Sequence, residues 1–193
     1  MRLAIVLTEG FADWECALLM ATARTELGLD VLIATPGGTV VTSMGGLHIT
    51  PHLPTKTLAP AEFDALVLCG GSTWETAAAP NLTAMIHAFH GKDRVVAGIC
   101  GATLALAASG ILNDVDHTGN SAESLSAVAG YRGHPHYRDQ PQALRSGRLV
   151  TAAGTAPVSF TAEVFHALGL GSAALDDYLS LYAKEHAVVP VAR

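Results

Sequence analysis

Apolar residues come in short unbroken runs separated by longer, more polar stretches. The runs cover residues 2–8, 31–35, 65–68, 94–99 and 148–152. Runs of that length without alternation predict strands covered on both faces, as in a parallel sheet. The stretches between them predict helices at 13–27, about 80–89, 101–109, 121–129, 157–168 and 172–186. Trp14, Leu18, Ala21 and Thr22 share one face of the first. Gly28, Gly110 and Gly169 stand at C-terminal cap positions, and Pro157 opens its helix. Segments 40–43 and 47–50 flank Met44-Gly45-Gly46 and predict a small hairpin, while 130–141 has no clear period and reads as a loop. The fold class is therefore α/β: a mostly parallel sheet with helices on both faces, in one domain over residues 1–193.

Residues 95–113 carry no charge and are nearly long enough to span a bilayer. Gly98, Gly101 and Gly110 interrupt that stretch, so it reads as a buried strand followed by a buried helix. Half of the 193 residues are hydrophobic, which is enough for a large core and excludes global disorder. Lys and Arg number 11 against 17 Asp and Glu, a net charge of −6. Nucleic acid and anionic membranes are therefore not expected as partners. The three cysteines, Cys16, Cys69 and Cys100, lack disulfide-framework or zinc-ligand spacing. The first apolar run is too short for a signal-peptide core, and the expected compartment is the reducing cytoplasm.

In a parallel sheet the carboxyl ends of the strands share one edge, where ligands bind. The expected rim carries Trp14 and Glu15 after the first strand, Gly70 and Gly71 after the third, and Cys100 after the fourth. Later come His117, Thr118 and Asn120, then Gly154 and Thr155. Cys100 lies in Ala97-Gly98-Ile99-Cys100-Gly101-Ala102, between an apolar strand and a small-residue helix. A sharp strand-to-helix turn would hold its thiol up at the sheet edge, the physics of a nucleophile elbow. A helix N-terminus there would favour the thiolate below the usual pKa of about 8.5. A buried structural cysteine fits the same local pattern. Glu15 either complements the helix dipole or, tucked against Trp14, stays protonated beside the thiolate. Gly70-Gly71 is either a plain turn or a pair of unobstructed N–H donors for an oxyanion. Trp74 either walls the pocket or packs on the sheet. His134 and His136 lack further ligands at suitable spacing, so no metal is expected, and no Gly-x-Gly-x-x-Gly follows the first strand, so no dinucleotide cofactor is expected either.

Together, Gly10-Phe11-Ala12-Asp13-Trp14-Glu15, Phe63-Asp64-Ala65-Leu66-Val67-Leu68-Cys69-Gly70-Gly71 and Val96-Ala97-Gly98-Ile99-Cys100-Gly101-Ala102 resemble the DJ-1/PfpI (ThiJ) superfamily, of glutamine amidotransferase-like fold. The resemblance implies a flavodoxin-like three-layer sandwich, a homodimer, no cofactor, and Cys100 as nucleophile. It also implies a protonated Glu15 bonded to the sulfur, and an anion pocket from the amides of Gly71 and Gly101. Implied activities are glyoxalase III-type or deglycase-type chemistry on small reactive carbonyls, with His117 or a water helping Glu15 move the proton. Alternatives are a redox sensor or stress chaperone whose Cys100 becomes a sulfinate, and an intracellular cysteine peptidase or amidase. The chain departs from the pattern in three places. Gly101 replaces the histidine that follows the nucleophile in peptidase-type members. Cys69 replaces the usual proline and should put a second thiol near the rim. Asn120 falls where DJ-1-like members carry a downstream histidine.

Overall fold

The computed structural model describes residues 1–188; the last five residues of the expected domain, 189–193, lie outside the described residues. Among these residues a seven-stranded sheet forms the middle layer. Its strands are β1 (Arg2–Val6), β2 (Asp30–Thr35), β5 (Leu53–Pro54), β6 (Ala65–Leu68), β7 (Val95–Ile99), β8 (Leu144–Ser146) and β9 (Leu149–Ala152). Their order across the sheet is β5-β2-β1-β6-β7-β9-β8. All pairings are parallel except that of the edge strand β8, which runs antiparallel to β9. The expected hairpin is a separate two-stranded sheet of β3 (Val41–Thr42) and β4 (His48–Ile49).

β6 and β7 are buried at every position, as unbroken apolar runs require in a sheet covered on both faces. One face is covered by α1 (Asp13–Thr25), α5 (Pro157–Ala167) and α6 (Ala173–Val188). Leu3, Ile5, Val67 and Ala97 point to that side and meet Leu19, Phe160, Val164 and Phe165. The other face is covered by α2 (Thr83–His90), α3 (Ala102–Ala108) and α4 (Ala122–Ser126), where Val6, Leu66, Leu68 and Val96 meet Ile86, Phe89 and Leu106. The alternation along each strand sends successive side chains into opposite cores. The expected three-layer α/β sandwich is thus what forms. Residues 95–113 are the buried strand and helix expected of them, and no helix of the described residues is long and apolar enough to cross a membrane.

Two short edge strands, β5 and β8, were not predicted. Each is two or three residues long and half-buried at best, so neither shows an apolar run. The segment 130–141 is irregular as expected, with one 3₁₀ turn at His134–His136 and a bridge from Tyr137 to His117.

Candidate active site

The chain runs outward from β1 to β2 and β5, then returns to β6 on the other side of β1. That reversal opens a crevice at the carboxyl edge between β1 and β6. The loop after β1 and the turn after β6 meet there: Phe11 bridges Gly71, and Ala12 N–H donates to the Gly70 carbonyl (3.0 Å). α1 starts immediately afterwards, and Glu15 in its first turn points inward and is 1% exposed. Asp13 fastens the helix start to the hairpin by accepting from Ser43 Oγ (2.5 Å) and Gly45 N–H (2.8 Å).

Cys100 follows β7 directly and has a φ of 58°. That left-handed conformation costs an ordinary residue about 1–2 kcal/mol. Three hydrogen bonds hold it. Cys100 N–H donates to the Ala152 carbonyl (2.9 Å), and its own carbonyl accepts from Thr103 N–H (3.0 Å) and Thr103 Oγ1 (2.7 Å). The result is the strand-to-helix elbow expected, with the half-buried thiol facing a cavity of about 520 Å³. Trp14, Glu15, Asn120, Gly154, Thr155 and Pro157 line the rest of it.

The carboxyl group of Glu15 lies against that thiol. A Cβ on Gly70 would overlap Glu15 Oε2, and one on Gly154 would come within 2.8 Å of Oε1 and 2.9 Å of the Cys100 sulfur. Glycine at both positions is what lets acid and thiol share the space. Neither carboxyl oxygen has a hydrogen bond of normal geometry; the Cys100 thiol and the Gly70 N–H are the polar groups facing them.

Asn120 supplies the remaining side chain. Its Oδ1 accepts from Gly154 N–H (3.0 Å), which turns the Nδ2 amide toward the sulfur at 3.3 Å. The Gly154 carbonyl in turn accepts from Trp14 Nε1 (3.1 Å). The backbone of one residue, Gly154, therefore orients both walls of the cavity.

Several expected members lie elsewhere. His117 is fully buried, with Nδ1 bonded to the Val115 carbonyl (2.8 Å) and Nε2 to the Tyr131 hydroxyl (2.7 Å). It belongs to an internal cluster with Tyr131 and Tyr137, not to the cavity. One step along an extended chain reverses the face, so Asn120 and not His117 reaches the thiol. Trp74 is buried, donates to the Cys69 carbonyl (2.7 Å) and packs beneath Gly101; it does not line the Cys100 cavity. Gly70 faces Glu15, while Gly71 pairs with Phe11 through bonds made by its neighbours, Ser72 N–H to the Gly10 carbonyl and Ala12 N–H to the Gly70 carbonyl (both 3.0 Å), and turns its carbonyl toward Gly101. Gly101 N–H is a backbone donor facing the sulfur. Cys69 is 1% exposed, with its thiol directed to the Ala12 carbonyl (3.7 Å) and to Cys16, so it adds no second thiol at the rim. Pro157, which the sequence marks only as a helix start, also lines the cavity. Among the described residues no cluster of His, Cys, Asp and Glu could hold a metal.

The model of one family, the DJ-1/PfpI family, matches residues 1–167. This chain belongs to the DJ-1/PfpI family. A solved structure of a DJ-1 superfamily protein, Atu0886 from Agrobacterium tumefaciens, is 50% identical, with a TM-score of 0.94 over 96% of this chain and 99% of that one. A thiJ/pfpI family protein from Bacillus anthracis is 30% identical, with a TM-score of 0.84 over 94% of this chain and 89% of that one. A Bacillus subtilis (strain 168) protein named uncharacterized protease YoaZ is 33% identical over 81% of this chain and 78% of its own length.

In this DJ-1/PfpI chain, burial pushes the Glu15 carboxyl up to about 7, partly offset by the Cys100 thiol and the Gly70 N–H. Burial also pushes the Cys100 thiol up to about 11; the Glu15 charge adds to the rise, while the Asn120 amide and Gly101 N–H oppose it. The two groups act as a dyad that loses one proton near pH 7 and resists losing the second until near pH 11. The expected depression of the thiol by a helix N-terminus does not dominate. α3 has only seven residues, and burial is the largest influence on the thiol.

Proposed function

We propose that this DJ-1/PfpI protein is a cofactor-free enzyme that uses Cys100 to add to small reactive carbonyls, 2-oxoaldehydes being the leading class. The observation that carries this reading is the Cys100 thiol and the Glu15 carboxyl packed side by side on a cavity, with the Asn120 amide and, among the described residues, no imidazole at the sulfur. Such a dyad suits addition to an aldehyde, where one proton need only move between neighbouring atoms.

The thiol proton passes to Glu15 as sulfur attacks the aldehyde carbon. The carbonyl electron pair becomes an oxyanion that the Gly101 N–H and the Asn120 amide stabilise, and Glu15 returns the proton to give a hemithioacetal. Glu15 then takes the proton from the former aldehyde carbon, the hemithioacetal hydroxyl proton passes to the neighbouring carbonyl oxygen through the enediol, and Glu15 delivers its proton to that neighbouring carbon. This internal redox step leaves a 2-hydroxyacyl thioester. Water releases the 2-hydroxy acid and restores the thiol.

The protease name of the Bacillus subtilis relative suggests amide hydrolysis instead. A leaving amine needs an acid placed over it, which peptidase-type members draw from the histidine after the nucleophile. Here a Cβ at Gly101 would stand 3.0 Å from the Gly71 carbonyl and 3.1 Å from Trp74 Cβ, so a side chain at that position needs the backbone to shift.

The test is methylglyoxal consumption with 2-hydroxy acid formation by the wild type and Cys100→Ser. The expected result is turnover by the wild type alone. Equal rates overturn the covalent route, and absence of turnover with selective peroxide oxidation of Cys100 would move the reading to a redox sensor.

A further inference from the structure

A second cavity, of about 650 Å³, lies on the far side of the turn that closes the Cys100 pocket. Thr155 and Pro157 line both. Beyond them the walls are largely carbon: Pro141 on the loop, Val158 and Ala162 on α5, Leu179 and Ala183 on α6. Of its polar side chains, those of Asp176, Ser159 and Ser180 are engaged within the protein, and Gln142 and Thr155 line it as well. Asp176 accepts from His166 (2.8 Å), Ser159 Oγ accepts from Ala143 N–H (2.9 Å), and Ser180 Oγ donates to the Asp177 carbonyl (2.7 Å). An occupant therefore meets mainly apolar surface, with Gln142 and Thr155 as the remaining polar side chains.

We infer that this cavity is the subsite for an apolar substituent of the substrate whose carbonyl is placed at Cys100. The inference rests on Cys100 being the carbonyl-binding nucleophile proposed above. A three-carbon oxoaldehyde leaves the space beyond Thr155 and Pro157 empty, whereas an aryl or branched alkyl oxoaldehyde reaches across them. The substrate class is thus narrowed to 2-oxoaldehydes, or related carbonyl compounds, with a bulky apolar group. Binding energy from the remote group can then be used to hold the carbonyl over the sulfur.

The experiment compares phenylglyoxal with methylglyoxal on the full chain. At roughly 25 cal/mol per Å² of buried apolar surface, a seated ring favours phenylglyoxal in kcat/KM by about tenfold to a hundredfold. Ala162→Phe fills the cavity from α5, and Ser180→Trp covers it from an exposed position on α6 that cannot disturb the core. Both should bring the ratio of the two substrates toward unity. A wild-type ratio near one, or a ratio that neither variant moves, overturns the inference.

A second measurement needs no turnover. Acetophenone should slow iodoacetamide labelling of Cys100 at concentrations where acetone does not, and Ser180→Trp should remove that protection. Protection without turnover of either oxoaldehyde refutes the proposed reaction but supports the subsite. Turnover without aryl preference or protection refutes the subsite alone. A changed dimer–monomer equilibrium in Ser180→Trp, with no change in the substrate ratio, assigns the cavity to a second copy of the chain and likewise overturns it.

Discussion

Cys69 and Cys100 look alike in the chain. Each ends a buried parallel strand, each precedes a glycine, and the two strands are neighbours in the sheet. Their surroundings differ completely. Cys69 continues the strand, donates its N–H to the Val6 carbonyl (3.1 Å), and packs its thiol among Ala12 and Cys16. Cys16 and burial hold it well above the usual thiol range. Cys100 leaves its strand through a left-handed turn and meets a cavity, an acid and an amide. Backbone conformation, more than local composition, separates a structural thiol from a chemical one.

Labelling with iodoacetamide gives the sharpest contrast. Cys100→Ser should abolish labelling of the native protein, a loss of more than about a hundredfold, while Cys69→Ala should leave the labelling of Cys100 unchanged and cost about 1 kcal/mol of stability. Labelling of Cys69 in the folded protein at a rate comparable to Cys100 would erase the distinction.

Next in size is Glu15→Gln. The wild-type labelling rate should rise with pH through about 7, where the dyad loses its first proton. Without the carboxylate to receive the thiol proton, that rise should move to higher pH, with a loss at neutral pH of about tenfold to a hundredfold. An unchanged profile would mean that Glu15 does not share the proton. Asn120→Ala removes one donor to the sulfur and should lower neutral-pH labelling by up to about tenfold. Asn120→Asp keeps the acceptor for Gly154 but places a charge at the thiol, and should be worse than alanine.

The smallest effect is on stability. The Glu15 pKa is raised on folding, so the folded state binds the proton more tightly than the unfolded chain. That contribution is full below about pH 4.5 and is lost as pH rises through about 7. Glu15→Gln should therefore be more stable than wild type at pH 8, by at most about 3 kcal/mol in thermal or denaturant unfolding, with the gap closing by pH 5. A gap that widens toward low pH would reverse the sign and contradict the burial of a neutral acid.

The strands, the order of the helices and the elbow at Cys100 were readable because a continuous apolar run ending in small residues leaves little conformational choice. Glu15 was readable as an acid one turn into a helix that starts at the sheet edge. His117 was not: its neighbour Asn120 reaches the same rim, and only the bridge from Tyr137 and the Thr118 N–H bond to Thr151 Oγ1 (2.9 Å) set which side chain faces inward. The depth of Cys69 depends on contact with Cys16, 53 positions earlier in the chain, and Trp74 is drawn inward by the Cys69 carbonyl. Such choices are made by tertiary partners, which a strand-length window does not contain.

The two tryptophans divide the molecule optically. Trp74 is 4% exposed and hydrogen-bonded to the Cys69 carbonyl within the core, whereas Trp14 is 53% exposed with its indole on the Gly154 carbonyl at the mouth of the Cys100 pocket. Their emission therefore separates into a blue, invariant component and a red, solvent-sensitive one. Entry of any molecule beside the thiol displaces water from the second alone, so the protein carries its own label-free indicator of occupancy.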